Sequence, residues 1–169
     1  MKILLIISIF LFIFSCSATK QETIVESCPD VSFSKEHQIY FSTNQKTIDI
    51  DNIAFSAEIN NYSINSQCLL INKNLEFNIS ILFVVNINDF SNNYLNLPYY
   101  IATINSKDEL IDIEYFFYQG EINRDMQYSE IEIVEDVLFQ MPNLDENDNS
   151  KNSLLIGFML DNEKIKILN

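Results

Sequence analysis

The stretch Leu75–Val85, LEFNISILFVV, decides the fold. Leu75, Phe77, Ile79, Ile81, Phe83 and Val85 recur at every second position, with Glu76, Asn78 and Ser80 between them. Successive side chains of an extended strand point to opposite faces, so this spacing sorts apolar from polar with period two. The pattern describes a sheet with one buried and one wet face, which antiparallel sheets allow. From Leu82 to Val85 both faces are apolar, which places that end of the strand in the middle of its sheet.

Upstream, Ile48, Ile50 and Ile53 lead into Phe55, Ala57 and Ile59, with Ser56, Glu58 and Asn60 opposite. Downstream, Asn96–Ile104 reads as a strand with Pro98 near its start or on an edge. Asn105–Glu109 (NSKDE) reads as a turn. In Leu110–Tyr118, Ile111, Ile113, Tyr115 and Phe117 alternate with Leu110, Asp112, Glu114 and Phe116. Ile131, Ile133, Val137 and Phe139 predict a strand kinked around Glu135-Asp136, although Glu130–Gln140 also fits a short helix. Pro142-Asn143 is a turn signal, Asp145–Asn152 a polar loop, and Leu154–Leu160 a last apolar strand. Ile165–Leu168 fits an edge strand or a frayed tail. About seven short strands and no convincing helical face predict an all-β fold: an antiparallel β-sandwich, immunoglobulin- or fibronectin-III-like, with a small barrel as the alternative.

The chain has 169 residues, the length of one domain, and 24 acids against 10 bases, with Arg124 the single arginine. A nucleic-acid binder needs clustered Lys and Arg to displace counterions, so no nucleic-acid partner is expected. The acidic surface reads as solvated, or as a face that meets a basic partner. With Gly120 and Gly157 the only glycines, the fingerprint for nucleotide or nicotinamide binding is missing.

The N-terminus carries an address. Lys2 precedes an apolar run from Ile3 to Phe14 broken only by Ser8. This run is too short to span a hydrocarbon core of about 30 Å and has the proportions of a secretory signal peptide. Ile13-Phe14-Ser15-Cys16 resembles a bacterial lipobox, whose cysteine takes a diacylglyceryl thioether and becomes the first mature residue; Phe14 is larger than the residue usual in that slot. The resemblance implies a signal peptide over 1–15, a lipidated tether over 16–27 and a sandwich domain over 28–169. The alternative is cleavage by the general signal peptidase, leaving a soluble periplasmic protein. Ser17 stands where inner-membrane retention often uses aspartate, so the resemblance favours the outer membrane, with the domain facing the periplasm. In such an oxidising compartment Cys28 and Cys68 form an even pair, predicting a disulfide; two buried free thiols are the alternative.

Several fragments together resemble a family of alphaproteobacterial lipoproteins of unknown function: Cys28-Pro29, Phe55-Ser56-Ala57-Glu58-Ile59, Cys68, Pro98-Tyr99-Tyr100-Ile101-Ala102 and Ile156-Gly157-Phe158-Met159-Leu160. The chain departs from it in being rich in Asn and Ile. The likeness implies an envelope address and paired cysteines, and carries no catalytic residue.

Chemistry is sparse in the sequence. His37 is the single histidine, and a Ser-His-Asp or Cys-His nucleophile would have to use it. Glu58, Glu114 and Glu132 fall on the expected wet faces, where a solvated carboxylate is the ordinary reading. Asp145, Asn147 and Asn149 have the spacing of a calcium loop, but Ser150 replaces the required glycine and Ile156 the bidentate glutamate. No metal, cofactor or catalytic residue is expected. Among the aromatics, Tyr99, Tyr100, Phe116 and Tyr118 are candidates for an interaction patch, with burial in the core as the alternative. The expectation is a non-catalytic binding or structural module, held to a membrane by its lipid and meeting another envelope protein. The alternatives are an assembly factor offering a strand edge and an acid-pair glycan hydrolase.

Overall fold

The computed structural model describes residues 22–25, 27–43, 50–91, 94–122, 129–142, 152–162 and 164–165. The leader, Cys16, Ile48, Arg124 and the Asp145–Asn149 loop lie outside the described residues. Among the described residues ten strands are formed: β1 (Glu22–Ile24), β2 (Val31–Phe33), β3 (Ile39–Thr43), β4 (Ile53–Ile64), β5 (Leu69–Ile71), β6 (Asn74–Ile87), β7 (Tyr94–Ile104), β8 (Leu110–Glu121), β9 (Glu130–Pro142) and β10 (Ser153–Phe158).

They build two sheets packed face to face, the β-sandwich expected, with more than the seven strands expected. In the first sheet β6 is central: β9 pairs along one side, and β4 and β5 share the other, extended by β3 and β1. The second sheet runs β2, β10, β7, β8. Among the described residues pairing is antiparallel except between β2 and β10. β3, β4 and β6 are neighbours in the first sheet.

The strand that decides the fold sits where its pattern requires. Phe77, Ile79, Ile81, Phe83 and Val85 are buried against Tyr99, Ile101 and Phe158 of the second sheet. Fully burying each such side chain contributes about 1.5–3 kcal/mol. Phe83 ties the layers together, its ring centroid 5.3 Å from Tyr99 and 5.6 Å from Phe158.

Several details differ from expectation. β9 pairs with β6 from Glu130↔Asn86 to Pro142↔Asn74 in unbroken register, neither kinked nor helical; a fully paired neighbour outweighs local helix propensity. Glu22–Ile24, inside the stretch expected to be tether, adds to the edge of β5 as β1. Ile165 donates its N–H to the Asp161 carbonyl in a tight turn instead of extending into an edge strand. On β8 the apolar face is inverted. The register shifts between Thr103 and Ile104, whose partners are Asp112 and Leu110, leaving Ile111 as an extra residue in a bulge. Beyond it, Glu114 and Phe116 share the inward face with Ile101 and Tyr99, while Tyr115 and Phe117 point outward.

Between β5 and β6 the two-residue turn Asn72-Lys73 has φ of 52° and 70°, the geometry of a type I′ hairpin that favours Asn-Gly. Lys73 pays the left-handed cost that glycine avoids. Lys73→Gly is expected to stabilise the domain by up to about 1 kcal/mol, read as a later midpoint in urea unfolding.

Candidate functional site

The outer face of the second sheet is apolar where a plain sandwich would be wet. Because Tyr99, Ile101 and Thr103 face inward on β7, Tyr100, Ala102 and Ile104 alternate outward. Beside them stand Ile113 and Tyr115 of β8 on one flank and Leu155 of β10 on the other. Met159 and Leu160, following β10, flank one side, and Asp108 and the exposed Leu110 of the β7–β8 hairpin stand at the open end. Together with His37 these residues line a groove of about 590 Å³, within the range of small-molecule sites.

The closed end of the groove is built around a glycine. Gly157 is the direct partner of Tyr100 across β10 and β7, and the ring lies over it. A Cβ there would stand 2.6 Å from the Tyr100 hydroxyl oxygen and 2.9 Å from the His37 Cβ. The Tyr100 hydroxyl and His37 Nδ1 are 3.1 Å apart and bond to each other, with the rings edge to face at 5.7 Å. Burial pushes the Tyr100 phenol pKa upward; a hydrogen bond with the Ser34 side chain works against this, and the Glu36 charge adds to it. His37, on the short 3₁₀ turn Lys35–His37, thereby serves as a wall of the groove.

The hairpin end is held by Asn105, whose Oδ1 accepts the N–H groups of Lys107 and Glu109 at 2.9 and 3.0 Å. This fixes the turn that places Leu110, 61 % exposed, at the groove mouth.

Of the four aromatics expected at a patch, Tyr100 alone lines the groove. Tyr99 is fully buried, stacked on Phe116 at 5.3 Å. Phe116 and Tyr118 face inward against the core. The exposed pair is Tyr115 and Phe117. The bulge at Ile111 changes the parity of β8, and nothing in the residues from Leu110 to Tyr118 announces it.

Glu114, expected on a wet face, instead shares the inward face with Ile101, and Glu135 of β9 likewise shares it with Ile81. Glu58 and Glu132 are exposed as expected. Burial raises the carboxyl pKa of both inward glutamates, with the charges of Asp112 and Asp136 adding to the effect for Glu114 and Glu135 respectively. Glu135 also lies near the buried Tyr99 phenol and helps burial push it upward. Among the described residues β8 and β9 each pair on one side only, and an inward charge on an edge strand opposes the addition of a further strand.

The folded state holds protons on these two groups at pH values where the unfolded chain, with an ordinary value of 4.5, has released them. Their contribution to stability therefore grows as pH falls from neutral through the folded pKa values, and is complete below 4.5. Glu135→Gln is expected to raise the melting midpoint at pH 7 and to diminish the gain between pH 7 and 5, measured by circular dichroism.

A second polar cluster lies on the other outer face. Asn65 donates to the Ser80 hydroxyl, which donates to Asp136, beside a depression of about 210 Å³ lined by Tyr62, Leu82 and Val134. His37 stands on the opposite face of the sandwich, so this serine, aspartate and histidine do not converge into a catalytic triad. Cys28 and Cys68 are joined in a disulfide with Cα atoms 5.5 Å apart, as their pairing predicts. Among the described residues no group of three or more His, Cys, Asp or Glu is placed to hold a metal ion. Compared with protein-family models, with curated proteins and with solved structures, the chain matches none.

Proposed function

We propose that the chain is a lipid-anchored module of a bacterial cell envelope, akin to the alphaproteobacterial lipoproteins it resembles, that binds without catalysis through the outer groove of its second sheet. The observation that carries the binding role is the groove itself: an apolar floor on β7, β8 and β10 with the hydrogen-bonded Tyr100–His37 pair at one end and Asp108 at the other. Monomeric proteins rarely leave such a face open without a use for it. Support for anchoring comes from Cys16 at the boundary of the apolar leader, and the Cys28–Cys68 disulfide suits an exported chain. In this reading Ser17 directs the protein to the outer membrane, with the domain in the periplasm. The inward Glu114 and Glu135 weigh against the alternative of an assembly factor that offers a strand edge.

Metabolic labelling with a clickable fatty acid tests the anchor. The wild-type chain is expected to take the label and to fractionate with membranes, and Cys16→Ala to lose both properties. An unlabelled wild-type chain would remove the reading.

A further inference from the structure

The strand pairing shows which end of the sandwich carries the N-terminal segment. Glu22 lies opposite Ile71, beside the Asn72-Lys73 turn. The same end holds Asn74 paired with Pro142. The Asn152 side chain reaches the Pro142 carbonyl, and the next residue, Ser153, pairs with Ile104. Ile104 pairs with Leu110 at the groove mouth. The mouth and the point where the chain leaves for Cys16 are therefore at one end of the molecule. From Cys16 to Glu22 the six residue steps span at most about 21 Å. A domain anchored at Cys16 keeps this end close to the bilayer, and the exposed Leu110 with it.

Resting on the anchoring read from Cys16, we propose that the groove takes one acyl chain of a phospholipid from the membrane that holds the protein. The lining is apolar along its floor, with Ala102, Ile104, Ile113 and Leu155 between the mouth and the Tyr100–His37 pair. From Tyr100 to Ile104 the floor runs four strand steps, roughly 13 Å. One leaflet's share of a hydrocarbon core is about 15 Å, so the floor accommodates most of one chain. At the closed end the Tyr100 hydroxyl and His37 Nδ1 satisfy each other, leaving an apolar tail with no competing demand for a hydrogen bond from that pair. The net charge of −14 disfavours a second copy of the chain as occupant.

Cells making the full-length protein are fed a fatty acid carrying a diazirine and an alkyne, and the purified protein is mapped with and without irradiation. Label on the Cys16 peptide without light reports the anchor alone. Light-dependent adducts of phospholipid mass on peptides covering 102–115 or 153–160 report the groove. Leu155→Trp, which fills it, and Tyr115→Glu, at a position exposed enough to tolerate the change, are each expected to cut those adducts at least fivefold. Leu138→Trp, on the far sheet, is expected to leave them unchanged. Adducts spread evenly over both outer faces, insensitivity to both groove substitutions, or crosslinking of the groove to protein in place of lipid overturns the proposal even when Cys16 is labelled. Groove adducts on a chain unlabelled at Cys16 support lipid binding and overturn the anchor; loss of both signals overturns both.

Discussion

Replacing Cys28 and Cys68 together with alanine is expected to destabilise the domain by about 3–4 kcal/mol, the chain-entropy value for a loop of this length. The two half-cystines are 40 residues apart. For a domain of this size the change corresponds to a fall in melting midpoint of roughly 6–16 °C. The position of the crosslink makes the loss concrete. Cys28 lies between β1 and β2, short strands that each pair with a single neighbour, β5 and β10 respectively. Cys68 is buried just before β5, and its carbonyl accepts the N–H of Val25 at 3.0 Å. Without the crosslink the N-terminal strands are held by three-residue ladders and a few flanking hydrogen bonds. Thermal unfolding with and without reductant checks this on the wild-type chain. A midpoint indifferent to reduction would show that the sheets hold those strands unaided.

Phe83→Ala is expected to cost about 3–5 kcal/mol, the ordinary range for truncating a buried phenylalanine, or roughly 6–20 °C in midpoint. Phe83 has no exposed surface and touches Tyr99 and Phe158 across the layer boundary. Its removal leaves a void that both sheets border and neither can fill, because each backbone is fixed by its own ladder. Aromatic pairs contribute about 0.5–1.5 kcal/mol beyond area burial, so Phe83→Leu is expected to give a smaller but clear loss. Phe117→Ala, at 57 % exposure on the outer face, is expected to stay within about 0.5 kcal/mol of wild type. Chemical denaturation of the three variants orders them; equal losses at positions 83 and 117 would contradict the two-layer core.

How much of this was legible depended on whether the two faces of a strand differ. On β6 they differ sharply from Phe77 to Ile81, and the strand and its buried face are plain in the sequence. On β8 one face carries Ile113, Tyr115 and Phe117 and the other Asp112 and Glu114 with Phe116 and Tyr118; period-two reasoning finds the strand and orients it the wrong way, because the apolar face lies beside the groove and the acidic one faces the core. The bulge at Ile111 then decides orientation through pairing with β7, a non-local fact. β9 was ambiguous between helix and strand until its partner fixed it. β1 and β2, with three residues each, are too short to show a period, and their formation rests on neighbours far along the chain. Cysteine counting recovered the disulfide. The groove was hidden for the opposite reason: Ala102, Leu155 and Met159 look like core residues, and only the assembled sheet shows that they face out.

The parallel ladder between β2 and β10 has a consequence for the order of synthesis. Leu154–Ile156 lie beside Val31–Phe33 and, on their other side, beside Ile101–Thr103. The middle of the second sheet is thus laid down last, between pieces made much earlier. A nascent chain that stops short of Ser153 leaves β2 and β7 facing an empty slot, with Phe33 and Ile101 uncovered on that flank. Such truncated products carry an unpaired backbone edge on each side of the gap, a template for association with other chains.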